Sequence, residues 1–173
     1  AGIVEQVRMI KSENEVDYIR KAAECCAASM DAAMDAIKPG ATSGDVDKAA
    51  LDVIERAGFA EGFRHRTGYA IGIGFPPDWG EGRIASLREG DPLVLEPNMV
   101  FHLIPDIKYP GEGGVVYSEC VRVTETGCEV LPLYGALDAG AQRAALAEPG
   151  ARRRIVLATA IAETSLTIPQ VRV

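Results

Sequence analysis

Histidine is scarce in this chain: only His65 and His102 occur among 173 residues. Acid–base chemistry near neutral pH must therefore be sought between 65 and 105. The four cysteines, Cys25, Cys26, Cys120 and Cys128, form no CxxC pair and no zinc-type spacing. That leaves them as small apolar packing residues in a reducing compartment. No apolar run reaches the ~18 residues that a membrane span needs, and no signal peptide opens the chain. The expectation is a soluble, cytoplasmic protein. No GxxxxGK[ST] loop is present, so nothing can cradle the phosphates of ATP. Basic residues are outnumbered 18 to 25, a net charge of −7, which argues against a general nucleic-acid surface.

What is present suits a globular protein, with 47% apolar and 25% charged residues. The length allows one domain with a real core, or one domain plus a fragment. Charge divides the chain unevenly. Residues 1–131 carry 13 basic and 22 acidic side chains, whereas residues 132–173 carry 5 and 3. This change of sign places a boundary near 131.

Residues 1–11 read as an entry strand or linker. Ser12 and Glu15 form a capping box that starts a long helix, with an apolar stripe of Val16, Ile19, Ala23, Cys26, Met30, Ala33 and Ile37. Lys38-Pro39-Gly40 ends it. Thr42 or Ser43 caps a second helix, with Val46, Ala50, Val53 and Ala57 inward and Gly58 as its stop. Strands are expected near 67–74, 93–95, 99–105, 114–125 and 128–132. Two amphipathic helices followed by strands make an α+β layer, with helices over one face of a curved, largely antiparallel sheet. Beyond it the pattern predicts a helix at about 138–147, a strand at 155–158, and a chain that stops at Val173 inside a further strand.

Chemistry concentrates in HRTGYAIGIGFPPDWGEG and LEPNMVFHLIP. His102 alternates with Phe101 and Leu103, so it faces away from them and suits a ligand contact or a general base. His65 is either a second candidate base or an exposed structural histidine. Arg66 has the planar fork that clamps a carboxylate, although a surface ion pair is the commoner fate. Asp78 and Trp79 follow two prolines that fix a rigid turn; Trp79 is an aromatic wall for a cationic substrate or a plug over the sheet. Glu119 is the best remaining carboxylate for acid–base work. Gly68, Gly72 and Gly74 lack the lysine and helix of a phosphate loop and more simply allow close backbone packing.

In VRMIKSENEVDYIRKAAE, AIKPGATSGDVDKAALDVIERAGF, HRTGYAIGIGFPPDWGE, LEPNMVFHLIP and SECVRVTETGCEVL, residues 6–131 resemble the pita-bread family of creatinases, Xaa-Pro aminopeptidases and prolidases. The PPDWGE and FHLIP forms look most like its creatinase and ectoine-hydrolase branch, which cleaves C–N bonds in small compounds without the usual metal pair. The resemblance implies an incomplete pita-bread fold over 1–131. It also implies a small-molecule substrate, a possible homodimer, and His65 or His102 working with Glu119 to activate water. Arg66, Tyr69, Asp78 and Trp79 would line the substrate pocket. The family's metallopeptidases hold two ions with two aspartates, one histidine and two glutamates. The histidine falls here on Tyr69, and the glutamates fall on Ile104 and Ser118. The strand pair carrying the aspartates has no counterpart, as though deleted at a seam near 27–38. No cofactor is expected, and Tyr69 could donate a hydrogen bond where a metal would otherwise sit.

Residues 131–173, with LPLYGAL and AQRAALAEPGARRRIVLATAIAETSLTIP, resemble a fragment of the second helicase domain of bacterial DEAH-box helicases. Thr159, Glu163, Thr164 and Ser165 would match its nucleic-acid contact motif, with Arg152, Arg153 and Arg154 nearby. The plainer reading of those residues is an orphan loop after a strand. Three functions follow as expectations: a metal-independent C–N hydrolase, a non-catalytic fusion remnant, and a weak nucleic-acid binder without ATPase activity.

Overall fold

A computed structural model describes residues 2–63, 65–72 and 80–131 of the chain. The chain divides into two compact units, Ala1–Glu129 and Val130–Val173. The tail helix and strand expected at 138–147 and 155–158 lie outside the described residues, as do Asp78, Trp79, Thr159, Thr164 and Ser165.

The chain opens with α1 (Ile3–Met9), a short helix where the sequence suggested a strand or linker. Glu5 in its first turn and Arg8 in its last complement the helix dipole. It buries nothing, and Ile3, Val4, Val7 and Met9 are all exposed. The capping box then starts α2 (Glu13–Ala36) as expected. Ser12 Oγ accepts from the Glu15 amide at 3.3 Å, and Glu15 Oε2 accepts from the Ser12 amide at 2.7 Å. Helix α2 runs unbroken through residues 27–38 as far as Ala36, with Ile37 as its cap. Its apolar stripe is buried from Ala22 to Ile37, but Val16 and Ile19 are exposed, because among the described residues no element packs over its first two turns.

Helix α3 (Ser43–Arg56) starts at Thr42, which forms its own capping box with Asp45. Its inward face is Ser43, Val46, Asp47, Ala50 and Ile54. Ile54 replaces the expected Val53 and Ala57, since the stripe drifts with the 3.6-residue period. Gly58, at φ +82°, ends the helix in the left-handed conformation that glycine adopts freely.

The strands are β1 (Gly68–Ala70), β2 (Ser86–Leu87), β3 (Val100–Leu103), β4 (Asp106–Tyr109), β5 (Gly113–Val116), β6 (Glu119–Val123) and β7 (Cys128–Val130). A four-residue helix, α4 (Glu81–Ile84), precedes β2. Strands β2-β1-β3-β6-β7 form one sheet, with β1–β2, β1–β3 and β3–β6 antiparallel. Strands β4 and β5 form a separate antiparallel hairpin. The segment 93–95 is not a strand. Flanked by Pro92 and Pro97, it makes a single bridge, Thr42 to Val94. The single strand expected over 114–125 is instead two strands in different sheets, parted at Tyr117-Ser118.

Helices α2 and α3 cover one face of the five-stranded sheet. Met30, Ala33, Ile37, Val46 and Ala50 pack there against Leu87, Phe101, Leu103, Val121 and Val123. A second cluster joins Ala22, Cys25, Cys26 and Ile54 to Ile107 of the hairpin. This is the α+β layer that the sequence implied, built around alternate residues of β3 and β6. All four cysteines are free, and burial pushes the Cys26 thiol up to about 11, as suits a packing residue. Among the described residues no helix is long and apolar enough to cross a membrane.

Candidate functional site

The face of the sheet opposite the helices carries the polar side chains. In β3, Phe101 and Leu103 point into the core, so His102 points out of it. Register places Tyr69 of β1 on one side of His102 and Cys120 of β6 on the other. Cross-strand partners of this kind have adjacent side chains.

His102 is held at both ring nitrogens. Nδ1 lies 2.8 Å from the Tyr69 hydroxyl, and Nε2 lies 2.5 Å from Ser118 Oγ. The Tyr69 and His102 rings meet edge to face, with centroids 5.1 Å apart. Burial lowers the His102 pKa below 6.5, so the imidazole is neutral at pH 7 and can accept a proton. Burial, and then the neighbouring Glu119, raise the Cys120 thiol, which stays protonated.

Tyr69 is fixed from several directions. The Arg66 guanidinium carbon sits 4.5 Å from its ring centroid. Arg66 Nη1 donates to the Gly82 carbonyl at 3.0 Å and to Ser86 Oγ at 2.6 Å, tying α4 and β2 to the same ring. Gly82 has no Cβ for a reason. A Cβ there would lie 3.2 Å from both the Tyr69 ring and the Ala70 carbonyl. At Gly68 a Cβ would lie 2.7 Å from the His102 carbonyl, so this glycine allows β1 and β3 to close.

The start of β1 is anchored by a residue that motif reasoning passed over. Asp47 is 3% exposed, and its Oδ1 accepts from the Thr67 amide at 3.0 Å and the Thr67 hydroxyl at 2.7 Å. Burial raises its pKa in spite of those two hydrogen bonds. The Thr67 carbonyl in turn accepts from the Ile104 amide at 2.7 Å. Asp47 thus sets the height of Tyr69 against His102 from the far side of the sheet. Its signal in the sequence was an acid on the inward line 43-47-50-54.

The residues singled out from the sequence are dispersed by this geometry. His102 and Tyr69 meet. Glu119 pairs in register with Leu103, so its side chain leaves the opposite face from His102. His65 is exposed in the bend before β1. Ser118, considered only as a position where a glutamate ligand falls, is the missing third member. Two positions before Cys120, it shares the face of His102, and its hydroxyl reaches the ring.

Among the described residues no three His, Cys, Asp or Glu side chains are placed to hold a metal ion. At the positions given to the family's histidine and glutamate ligands stand a phenol, an aliphatic chain and a hydroxyl. Tyr69 and Ser118 are spent on the imidazole. This donor set does not fit a pair of divalent cations, which need several convergent carboxylate or imidazole ligands.

Comparison with known proteins places this geometry in context. The profile of metallopeptidase family M24 matches residues 4–125. The ectoine hydrolase of Halomonas elongata is 41% identical over 98 residues, which cover 57% of this chain and 24% of that protein. The Xaa-Pro dipeptidase of Lactobacillus helveticus is 40% identical over 96 residues, covering 56% and 24%. The crystal structure of dipeptidase PepE from Mycobacterium ulcerans superposes with a TM-score of 0.58 at 34% identity, over 66% of this chain and 29% of that one. The chain spans about a quarter of the length of these curated relatives. A helix pair on a largely antiparallel sheet, matched in sequence from 4 to 125 and in structure to part of a dipeptidase, is an incomplete pita-bread fold, and the chain belongs to metallopeptidase family M24.

Proposed function

We propose that this chain carries the site of a hydrolase for C–N bonds, amide or peptide-like, in small compounds, and that it works without the metal pair. The observation that carries this reading is His102, neutral and held between Tyr69 and Ser118 on the solvent side of the sheet. A neutral imidazole within hydrogen-bond reach of a hydroxyl is a general base, a role that contributes roughly 10²–10⁴-fold to rate. His102 fills it better than His65, which lies in an exposed bend. Arg66 fixes the Tyr69 ring and offers positive charge to a substrate carboxylate. Glu119, on the other face, does not act on substrate in this reading. The substrate is a small molecule, the setting cytoplasmic, and the working form a homodimer.

The test is hydrolysis of ectoine, creatine and Xaa-Pro dipeptides by the full chain in the presence of a chelator, with His102→Ala as control. Turnover that survives chelation and falls about 10²–10⁴-fold in the variant is expected. Turnover that appears only when manganese, cobalt or zinc is added sinks the metal-free reading.

A second reading is supported by the division of the chain at Glu129–Val130 and by a family match that ends at 125. Residues 132–173 are then a helicase-like segment joined to a shortened M24 domain, with the deletion seam inside the continuous helix α2. Such a fusion is non-catalytic and binds RNA weakly through Arg152, Arg153 and Arg154. A substrate-dependent rise in the melting temperature of the full chain counts against it.

A further inference from the structure

We propose that Ser118 is a catalytic nucleophile, activated by His102, which takes the acyl group of the substrate as an ester. The inference rests on the hydrolase reading above and names the atom that attacks. Three observations carry it. Ser118 Oγ lies 2.5 Å from His102 Nε2, within reach of proton transfer. Ser118 is exposed while the imidazole is half-buried, so the reacting oxygen is the more open to solvent of the two. The third observation is that Nδ1 is engaged by the Tyr69 hydroxyl at 2.8 Å.

That last contact accommodates the productive arrangement of protons. A neutral imidazole has one N–H and one lone pair. With the proton on Nδ1, donated to the Tyr69 oxygen, the Nε2 lone pair faces the Ser118 hydroxyl. In that tautomer Tyr69 is a positioning residue, its hydroxyl accepting from Nδ1 and holding the ring against Ser118. The backbone holds Ser118 from both sides. The Tyr117 amide donates to the Pro105 carbonyl at 3.1 Å, and Glu119 is registered against Leu103. The break between β5 and β6 thus presents the serine instead of leaving it loose.

The step balances without an external reagent other than water. Oγ attacks the carbonyl carbon of the C–N bond while its proton passes to Nε2. The tetrahedral adduct collapses, the C–N bond breaks, and the leaving nitrogen takes the proton from Nε2. Water then attacks the ester with His102 again as base, releasing a carboxylic acid and restoring the serine.

The test is labelling of the full chain with an alkyl fluorophosphonate, with the adduct located by peptide mass. The expected result is a single adduct on Ser118. It disappears in Ser118→Ala and forms roughly 10²-fold or more slowly in His102→Ala. Ser118→Cys, which keeps a nucleophile at the same place, is expected to transfer reactivity to iodoacetamide. Tyr69→Phe is expected to slow labelling. Amide hydrolysis that survives Ser118→Ala, with no adduct in the parent chain, overturns the nucleophile and leaves the hydrolase reading standing. An adduct on Ser118 without hydrolysis of any amide supports the nucleophile and overturns the substrate class. Absence of both overturns both.

Discussion

The two faces of the five-stranded sheet are built from the same strands and serve opposite ends. On one, Phe101, Leu103, Val121 and Val123 are fully buried under α2 and α3. On the other, Tyr69, His102 and Cys120 stand half-buried, with Ser118 beside them. The core face is redundant, because dispersion and burial are spread over many apolar contacts and no single direction matters. The site face is not. Its order comes from three hydroxyl or ring contacts whose geometry must be right. One face fixes where the strands lie; the other uses that placement to aim two nitrogens.

That contrast can be broken most severely from the core side. Phe101→Ala removes the largest fully buried side chain among the described residues and is expected to cost about 3–5 kcal/mol in a urea melt. It should take the site down with the fold. Asp47→Ala attacks the join between the faces. It strands the Thr67 hydroxyl in the interior and should cost about 1–3 kcal/mol, whereas Asp47→Asn keeps an acceptor and should recover much of it. Tyr69→Phe sharpens the distinction, since it removes one hydroxyl from the site face. A cost of about 0.5–1.5 kcal/mol in stability, with a larger proportional loss of turnover, is expected from paired denaturation and activity measurements.

The smallest effect is on pH dependence. His102 has a folded pKa below its ordinary 6.5 because burial disfavours the charged ring. Its contribution to stability is therefore fully present above about pH 6.5 and is lost as pH falls through the lower folded value. Asp47 runs the other way. Its folded pKa is raised above 3.8, so its contribution is present below that pH and declines as pH rises through the folded value. Melting temperature followed from pH 7 downwards should fall less steeply in His102→Gln than in the parent chain. Equal slopes would mean that the ring is not shielded as described.

Much of the fold could be read in advance because its causes are local. The two capping boxes are four-residue signals, and both helices begin where Ser12 and Thr42 put them. The alternation of Phe101, His102 and Leu103 gave the orientation of His102 correctly, because side chains on a strand alternate by geometry. Less could be read where two segments had to meet. Residues 93–95 have strand composition, but prolines on both sides leave room for only one bridge. Glu119 was the strongest carboxylate by type, yet it lies one position along from Ser118 and so on the opposite face, as alternation implied and register with Leu103 bears out.

The sequence by itself determined the helix caps, the inward stripes, the strand alternation and the change of character near 131, since each depends on residues within a turn or two of one another. Tertiary structure alone decided that Tyr69, His102 and Ser118 meet across separations of 33 and 16 residues. It also decided that Asp47 of α3 meets Thr67 at the start of β1. Those meetings depend on strand register and on a chain break between two sheets, which are settled by how the whole core packs and by no local preference.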